Sequence, residues 1–372
     1  MTAFITGAAM TAFGKLAPRT TLDLQAEAAE AALADAGCTR AQVDGLLLGY
    51  STVAPHLMPA TRFAEFFGLL PSYAHGVQAG GATGLAMVAL ARHLVVAGAA
   101  RNVLVVAGEN RRTGHQPGDA ARTLAEVGEP DHEVTQGGSV PAYYGLVASQ
   151  YLHRYGLQER DLAELAVLMR RHAAMTDGAQ FTTPITVEDV IESRPVARPL
   201  KLLDCCPVSD GAAAILVSAS DNGSAIQITG TSQAHTHQHL TQAPDDVALG
   251  ARQTAAAAFQ QAGCTPRDID RLAIYDSFTV TLAMFLEACG FSAPGEAPAD
   301  TRAGRFAHDG PLPLNTHGGL LSYGHSGVAG GMAHIVEITR KMRASAKRER
   351  GFIHADGGVF SANVSMVLEG CT

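Results

Sequence analysis

HGVQAGGATGLAMVALARHLVVAGA, His75 to Ala99, is the stretch whose reading decides the fold. From Leu85 to Val96 its only strongly polar side chains are Arg92 and His93, near the far end. A helix apolar on every side is buried on every side. The run Gly80-Gly81-Ala82-Thr83-Gly84 ahead of it lets another backbone, or a ligand, approach the first helical amides. That end of a helix carries partial positive charge, which lowers a thiol's pKa or holds an oxyanion. The stretch therefore predicts a central helix with its N-terminus aimed into a reaction site. The alternative is a core helix behind a glycine turn, with no chemistry.

Around this helix, strand and helix alternate. Phe4 to Gly7 reads as a strand, and Thr21 to Ala36 as a helix with Leu22, Ala26, Ala29 and Leu33 on one face and Gly37 ending it. Val43 to Gly49 and Asn102 to Ala107 read as buried strands, which predicts a mixed or parallel sheet covered by helices. The chain then repeats itself. AGCTRAQVDGLLLGYS (Ala36 to Ser51) returns as AGCTPRDIDRLAIYDS (Ala262 to Ser277), each behind an Ala-rich helix. GATGLAMVALARHL (Gly81 to Leu94) is echoed by GVAGGMAHIVEITR (Gly327 to Arg340), and each is followed by a strand, the second at Gly351 to Ala355. Long-period self-similarity means two related halves packed together, with the equivalent helices in the middle. The expected division is a first half from 1–110 and 200–222, an inserted cap at 111–199 with helices at Tyr143 to Tyr155 and Glu159 to His172, and a second half at 223–372.

Composition narrows the function. The 372 residues are 47% apolar and 17% charged, an ordinary globular balance with ample core. A net charge of −8 argues against nucleic-acid binding. No run of 18 apolar residues suggests a membrane span, and the first residues do not read as a signal peptide. Six cysteines without regular spacing, two of them adjacent at Cys205-Cys206, fit a reducing cytoplasm better than a disulfide framework. His235, His237 and His239 would share a face on a strand and suit a metal, but no carboxylate or cysteine accompanies them, and no metal is assigned.

SDGAAAILV (Ser209 to Val217), NTHGGLLSYGHSGVAGG (Asn315 to Gly331), the glycine-led helix, the cap and the duplicated halves together resemble the thiolase superfamily, in its sterol-carrier-protein-type branch. The resemblance spans nearly the whole chain. It implies an α/β, five-layered αβαβα fold, a homodimer, and action on coenzyme A thioesters, with coenzyme A as part of the substrate and no further cofactor.

The chain departs from that pattern where the chemistry lies. A thiolase holds the acyl fragment of a retro-Claisen cleavage on a cysteine at the start of the central helix. Gly81 stands at that place here. The relatives' His-Asp-Cys-Phe becomes Tyr275-Asp276-Ser277-Phe278. Their Gly-His survives as Gly324-His325, with Tyr323 before it and Ser326 where a proline is usual. In these respects the chain is similar to the cysteine-less thiolase-fold aldolases that shorten steroid side chains. These use tyrosines and work with a small partner of zinc-ribbon and oligonucleotide/oligosaccharide-binding-type fold.

A retro-aldol cleavage of a β-hydroxyacyl thioester leaves no acyl group to capture. It needs a proton taken from the hydroxyl, a stabilised enolate, and a proton returned to carbon. The expected catalytic set is Tyr275 and Tyr323 as proton carriers, His325 to orient or polarise, and Ser277 either as a participant or as filler of the cysteine's volume. The expected oxyanion and substrate-binding set is Gly81, the late Gly357-Gly358 and Asn315, with His317 beside that turn. Two other readings stay open. One is an acyltransferase or thiolase with another nucleophile, Cys205 or Cys206 before Cys38, Cys264, Cys289 or Cys371. The other is a non-catalytic acyl-CoA-binding scaffold.

Overall fold

A computed structural model describes residues 2–116, 118–223 and 225–370, with 119–121 described by backbone alone. Nine strands form one hydrogen-bonded sheet. They are β1 (Phe4–Met10), β2 (Gly45–Gly49), β3 (Tyr73–Val77), β4 (Asn102–Asn110), β5 (Asp210–Ser218), β6 (Ile226–His235), β7 (Arg271–Ile274), β8 (Arg350–Gly357) and β9 (Ala362–Gly370). Their order is β3-β2-β4-β5-β1-β6-β9-β8-β7. Read outward from the middle, β1-β5-β4-β2 mirrors β6-β9-β8-β7, which is the sequence repeat made three-dimensional. Only β3 lacks a counterpart.

The halves were expected to pack face to face, and they also join edge to edge. β1 pairs with β6 through Phe4–Gln227 and Ile5–Ile226, because the chain turns back beside β1 after β5 ends at Ser218.

The helices explain the layering. α1 (Thr21–Ala36) packs outside β1, β4 and β5. Its ends are written locally: Thr20 and Asp23 cap each other, and Gly37 closes the helix at φ +63. α2 (Pro59–Phe67) covers β2 and β3. α3 (Thr83–Val96) is the organising helix, and it touches β2, β4 and β5 on one side and β6, β8 and β9 on the other. Between β5 and its predecessors comes the cap, with α4 (Val140–Tyr155) and α5 (Glu159–Ala173). In the second half, α6 (Leu249–Ala262) covers β6 and β9 from outside, and α7 (Thr279–Ala288) packs against the cap helices. The short α8 (Gly319–Ser322) leads into α9 (Val328–Ala344), which lies beside α3 and also touches strands of both halves. The layers are therefore helix, sheet, paired central helices, sheet, helix.

The repeated AGCT segments have one physical role. Thr39 with Gln42, and Thr265 with Asp268, form reciprocal caps on a short turn that redirects each outer helix into its strand. β5 is buried along its whole length, which is why it reads as a continuous apolar run.

Candidate active site

The mouth of α3 is built by two loops that touch backbone to backbone. Thr83 Oγ donates to Gly80 O at 2.6 Å and accepts from Ala79 N at 2.8 Å, tying the first loop into a ring. The second loop is the end of β8. A Cβ at Gly357 would lie 2.2 Å from Ala79 O, so only glycine permits the approach. The two loops meet at the glycines: a Cβ at Gly80 would lie 3.0 Å from both Gly357 Cα and Gly358 N, and Gly81 is bridged to Ala79 through the backbone.

Gly81 carries the chemical signature of the site. A Cβ built there would lie 2.1 Å from Tyr275 Oη and 2.5 Å from the Asp356 carbonyl oxygen. The phenol hydroxyl of Tyr275 thus fills the space a nucleophilic side chain on α3 would need. Tyr275 Oη and His325 Nε2 share a hydrogen bond of 3.0 Å, with the rings edge to face.

Each member of this pair is held by its surroundings. Ile274, just before Tyr275, exchanges two hydrogen bonds with the Asn315 side chain: Ile274 N donates to Oδ1 at 2.8 Å, and Nδ2 donates to Ile274 O at 2.7 Å. His325 is locked by Ser209, whose Oγ accepts from His325 N and whose N donates to His325 O, both at 3.0 Å. Ser326, where relatives have proline, is fully buried, and its one hydroxyl proton lies within hydrogen-bond reach of Glu109 O at 2.9 Å and Gly211 O at 2.8 Å.

Burial sets the protonation states. It drives the Tyr275 phenol well above its ordinary pKa, with nearby Cys206, Asp356 and Tyr50 acting the same way and Arg111 opposing them. Burial, with the Arg111 charge second, lowers His325 to about 3. The resting pair is therefore a neutral phenol and a neutral imidazole. The thiols are held as thiols: burial raises Cys206 to about 12 and pushes Cys205 and Cys289 up as well. Cys38 and Cys264 are also raised by burial. Arg111 near Cys206, Arg350 near Cys264 and Arg252 near Cys289 pull the other way, but burial outweighs them, so none is poised as the thiolate a nucleophile needs. Cys371 lies outside the described residues.

The structure separates some residues that the sequence reading grouped. Tyr323 was expected to pair with Tyr275, yet no hydrogen bond or ring contact joins them. Its hydroxyl donates to Thr11 O at 3.2 Å and its ring packs on Phe13 and His317, because it ends α8 before the chain turns at Gly324. Asn315 was expected at the substrate, but both its polar groups are used on Ile274 as described, and it is buried. His317 is buried with its ring against Tyr323 and His334. Ser277 is buried beside the Tyr144 hydroxyl. The three alternating histidines do not share a strand face, since β6 ends at His235; His237 instead bonds Val359 O, and no metal-binding group of three occurs among the described residues.

Two residues went unseen. Tyr144, from cap helix α4, reaches across to lie 2.9 Å from both Asp356 Oδ2 and Gly358 O. Asp356 precedes the late glycines and is fully buried. The only local signals were a Tyr-Tyr pair at a helix start and an acid ahead of Gly-Gly, and neither indicates a site without the fold.

The buried neutral histidine also predicts an acid sensitivity. The unfolded chain protonates His325 near pH 6.5, whereas the native site resists until about 3. Between those values the unfolded state binds the extra proton, so native stability falls as pH falls. From about pH 7 to about pH 5 the wild type is expected to lose about 2 kcal/mol more than His325→Gln. Urea denaturation at the two pH values measures this, and equal losses would remove the assignment of a neutral imidazole.

Comparison with known proteins places these features. The family described as "Thiolase, N-terminal domain" matches residues 3–221, and "Thiolase C-terminal domain-like" matches residues 232–370. The chain is 33% identical over 367 residues to the 17-hydroxy-3-oxo-4-pregnene-20-carboxyl-CoA lyase of Mycobacterium tuberculosis, covering 92% of each chain. It is 29% identical over 374 residues to the acetyl-CoA acetyltransferase of Methanothermobacter thermautotrophicus, covering 95% of this chain and 96% of that one. Among solved structures, the "Ltp2-ChsH2(DUF35) aldolase" superposes with a TM-score of 0.85 at 29% identity, covering 99% of this chain and 98% of that one.

Proposed function

This chain belongs to the thiolase family, and from that premise we propose that it cleaves a carbon–carbon bond of an acyl-CoA thioester by retro-aldol chemistry, as a lyase without a covalent acyl intermediate. The observation that carries the reading is the Tyr275 hydroxyl standing where a side chain at position 81 would be. A site so filled has no room for the acyl-enzyme that retro-Claisen cleavage requires. The lyase and aldolase relatives support the same reading.

The substrate is a β-hydroxyacyl-CoA, and the steroid side-chain class is its proposed source on the strength of those relatives. Tyr275 Oη accepts the substrate's hydroxyl proton while its own proton passes to His325 Nε2. The C–C bond then breaks, its electron pair forming the thioester enolate as the new ketone or aldehyde C=O forms. The enolate oxygen lies toward the backbone at Gly81 and Gly358, at the positive end of α3. The proton then returns from His325 through Tyr275 to the enolate carbon. One proton leaves oxygen and one reaches carbon, so the pair ends as it began. The second carrier foreseen in Tyr323 is replaced in this scheme by His325. Ser277, small and next to the Tyr144 hydroxyl, fills the place of the relatives' cysteine. Coenzyme A enters as part of the substrate.

A partner of zinc-ribbon and oligonucleotide/oligosaccharide-binding-type fold belongs to the same proposal, because the aldolase structure above names a second component. A homodimer is proposed through the free outer edge of β3, flanked by exposed Leu57, Met58, Phe66 and Leu70. A cytoplasmic setting agrees with five free cysteines among the described residues.

The test is incubation with a β-hydroxyacyl-CoA and, separately, with a β-ketoacyl-CoA plus free coenzyme A, each with and without such a partner. Ketone or aldehyde release from the first, without consumption of free coenzyme A, is expected. Coenzyme-A-dependent cleavage of the second, or an acylated cysteine found by mass spectrometry, would replace the lyase with an acyltransferase. Binding of both without turnover would leave a scaffold.

A further inference from the structure

The network behind Tyr275 contains one proton too few if every acid in it is ionised. Tyr144 Oη lies 2.9 Å from Asp356 Oδ2 and 2.9 Å from Gly358 O. A backbone carbonyl only accepts, and so does an ionised carboxylate. The single phenol proton would then have to serve both. Phe360 N adds one long donor to Oδ2, at 3.3 Å, and the Gly357 amide also acts on the carboxyl, yet burial outweighs all of them. Asp356 Oδ1 is buried with no partner. No cation forms an ion pair with Asp356 among the described residues, although the side chain is fully buried. A buried carboxylate with neither cation nor full hydrogen bonding is strongly disfavoured.

One added proton resolves the count. With Asp356 protonated on Oδ2, the acid donates to Tyr144 Oη, and Tyr144 donates to Gly358 O. Asp356 Oδ2, Tyr144 Oη and Gly358 O then each have a role they can fill, and Oδ1 is left as a neutral carbonyl oxygen rather than part of a buried charge. The Tyr144 ring is held in this pose by stacking on Phe278 at 4.4 Å and by Phe360.

We propose that Asp356 rests as a neutral carboxylic acid, proton-bound to Tyr144, and that its neutrality lets negative charge develop on the thioester enolate beside Tyr275. Asp356 is thus a positioning residue: it acts through Tyr144 and on the local field, and its role rests on the retro-aldol reading. The Asp356 backbone carbonyl already borders Gly81, as the 2.5 Å approach to a built Cβ shows, so a charge on the side chain would stand next to the reaction. Burial raises its pKa well above the carboxylate range, in agreement with the proton count. The titratable groups around it are Tyr144 from α4, Tyr275 from the end of β7, and His354 two residues back on its own strand, with Cys206 and Arg111 beyond Tyr275. Burial holds His354 at about 3, so it is neutral too. From β9 the facing side chain is the uncharged Asn363. Arg111 is the one cation of this set, and it acts on Tyr275 and His325.

Infrared spectroscopy of the ligand-free protein tests the resting state apart from the reaction. The wild type at neutral pH is expected to show the C=O stretch of a protonated carboxylic acid, and Asp356→Asn is expected to lack it. Absence of that band in the wild type overturns the proposal and leaves the retro-aldol reading standing. The second measurement is the pH dependence of β-hydroxyacyl-CoA cleavage. In the wild type, turnover is expected to fall on the alkaline side as Asp356 ionises. In Asp356→Asn, which stays neutral, that fall is expected to vanish, with at least tenfold more turnover than in Asp356→Ala. An alkaline limb unchanged in Asp356→Asn, or Asn no better than Ala at equal thermal stability, overturns the assigned role.

Discussion

Tyr275→Phe is expected to lower turnover of the β-hydroxyacyl-CoA by about 10²-fold or more, the usual weight of a general acid–base group. The ring, its burial and its edge-to-face contact with His325 all persist in Phe, so the native fold and acyl-CoA binding are expected to remain. What is lost is the oxygen that takes the substrate proton and hands one to Nε2 across 3.0 Å. The measurement is kcat alongside acyl-CoA affinity. A fall in kcat at unchanged affinity fits a group that acts on the transition state. A near-normal kcat would end the relay, and the same loss spread over affinity would make Tyr275 a packing residue.

Gly81→Ala is expected to be as damaging to activity as Tyr275→Phe, for a steric reason. The added methyl would sit 2.1 Å from Tyr275 Oη and 2.7 Å from its ring carbon, with the Asp356 carbonyl on the other side. Either the phenol leaves its bond to His325 or the α3 loop shifts. Overpacking of this kind destabilises by about 1–3 kcal/mol. The strain belongs to the pair, so it should be relieved when position 275 is emptied. Gly81→Ala in a Tyr275→Ala background is expected to destabilise by at least about 1 kcal/mol less than in the wild type. Urea titration of the four proteins in the cycle reads this. Strict additivity would mean that the Asp356 carbonyl, rather than the phenol, forbids the side chain. By the same geometry, a cysteine placed at 81 cannot restore thiolase chemistry while Tyr275 remains.

Some of this architecture was legible in local sequence. α1 was read from Thr21 to Ala36, and the structure places it there, because cap and terminal glycine are contained within the segment; its buried stripe, however, is Leu24, Ala28, Ala29, Ala32 and Leu33, and Leu22 and Ala26 of the expected face are only half-buried. The repeat pointed to two related halves, because the same helix, turn and strand are spelled twice, whereas their mirrored strand order is seen only in the fold. α2 and β3 were missed. α2 is only nine residues long, and the alternation in β3 is blurred by partial exposure on an open edge. The site was half legible. Gly81, Tyr275, His325, Gly357 and Gly358 came from motifs, and the structure brings them to one place. Tyr323 and Asn315 belong to the same motifs but turn elsewhere, since neighbours in a tight loop point in different directions.

By itself the sequence determined the duplication, the buried central helix and the missing sulfur, because each is a matter of residue type and spacing along the chain. Only the tertiary structure decided what took the sulfur's place, and that Tyr144 and Asp356, 212 residues apart, share a proton count. Such a contact depends on distances across the fold, and no local pattern encodes them.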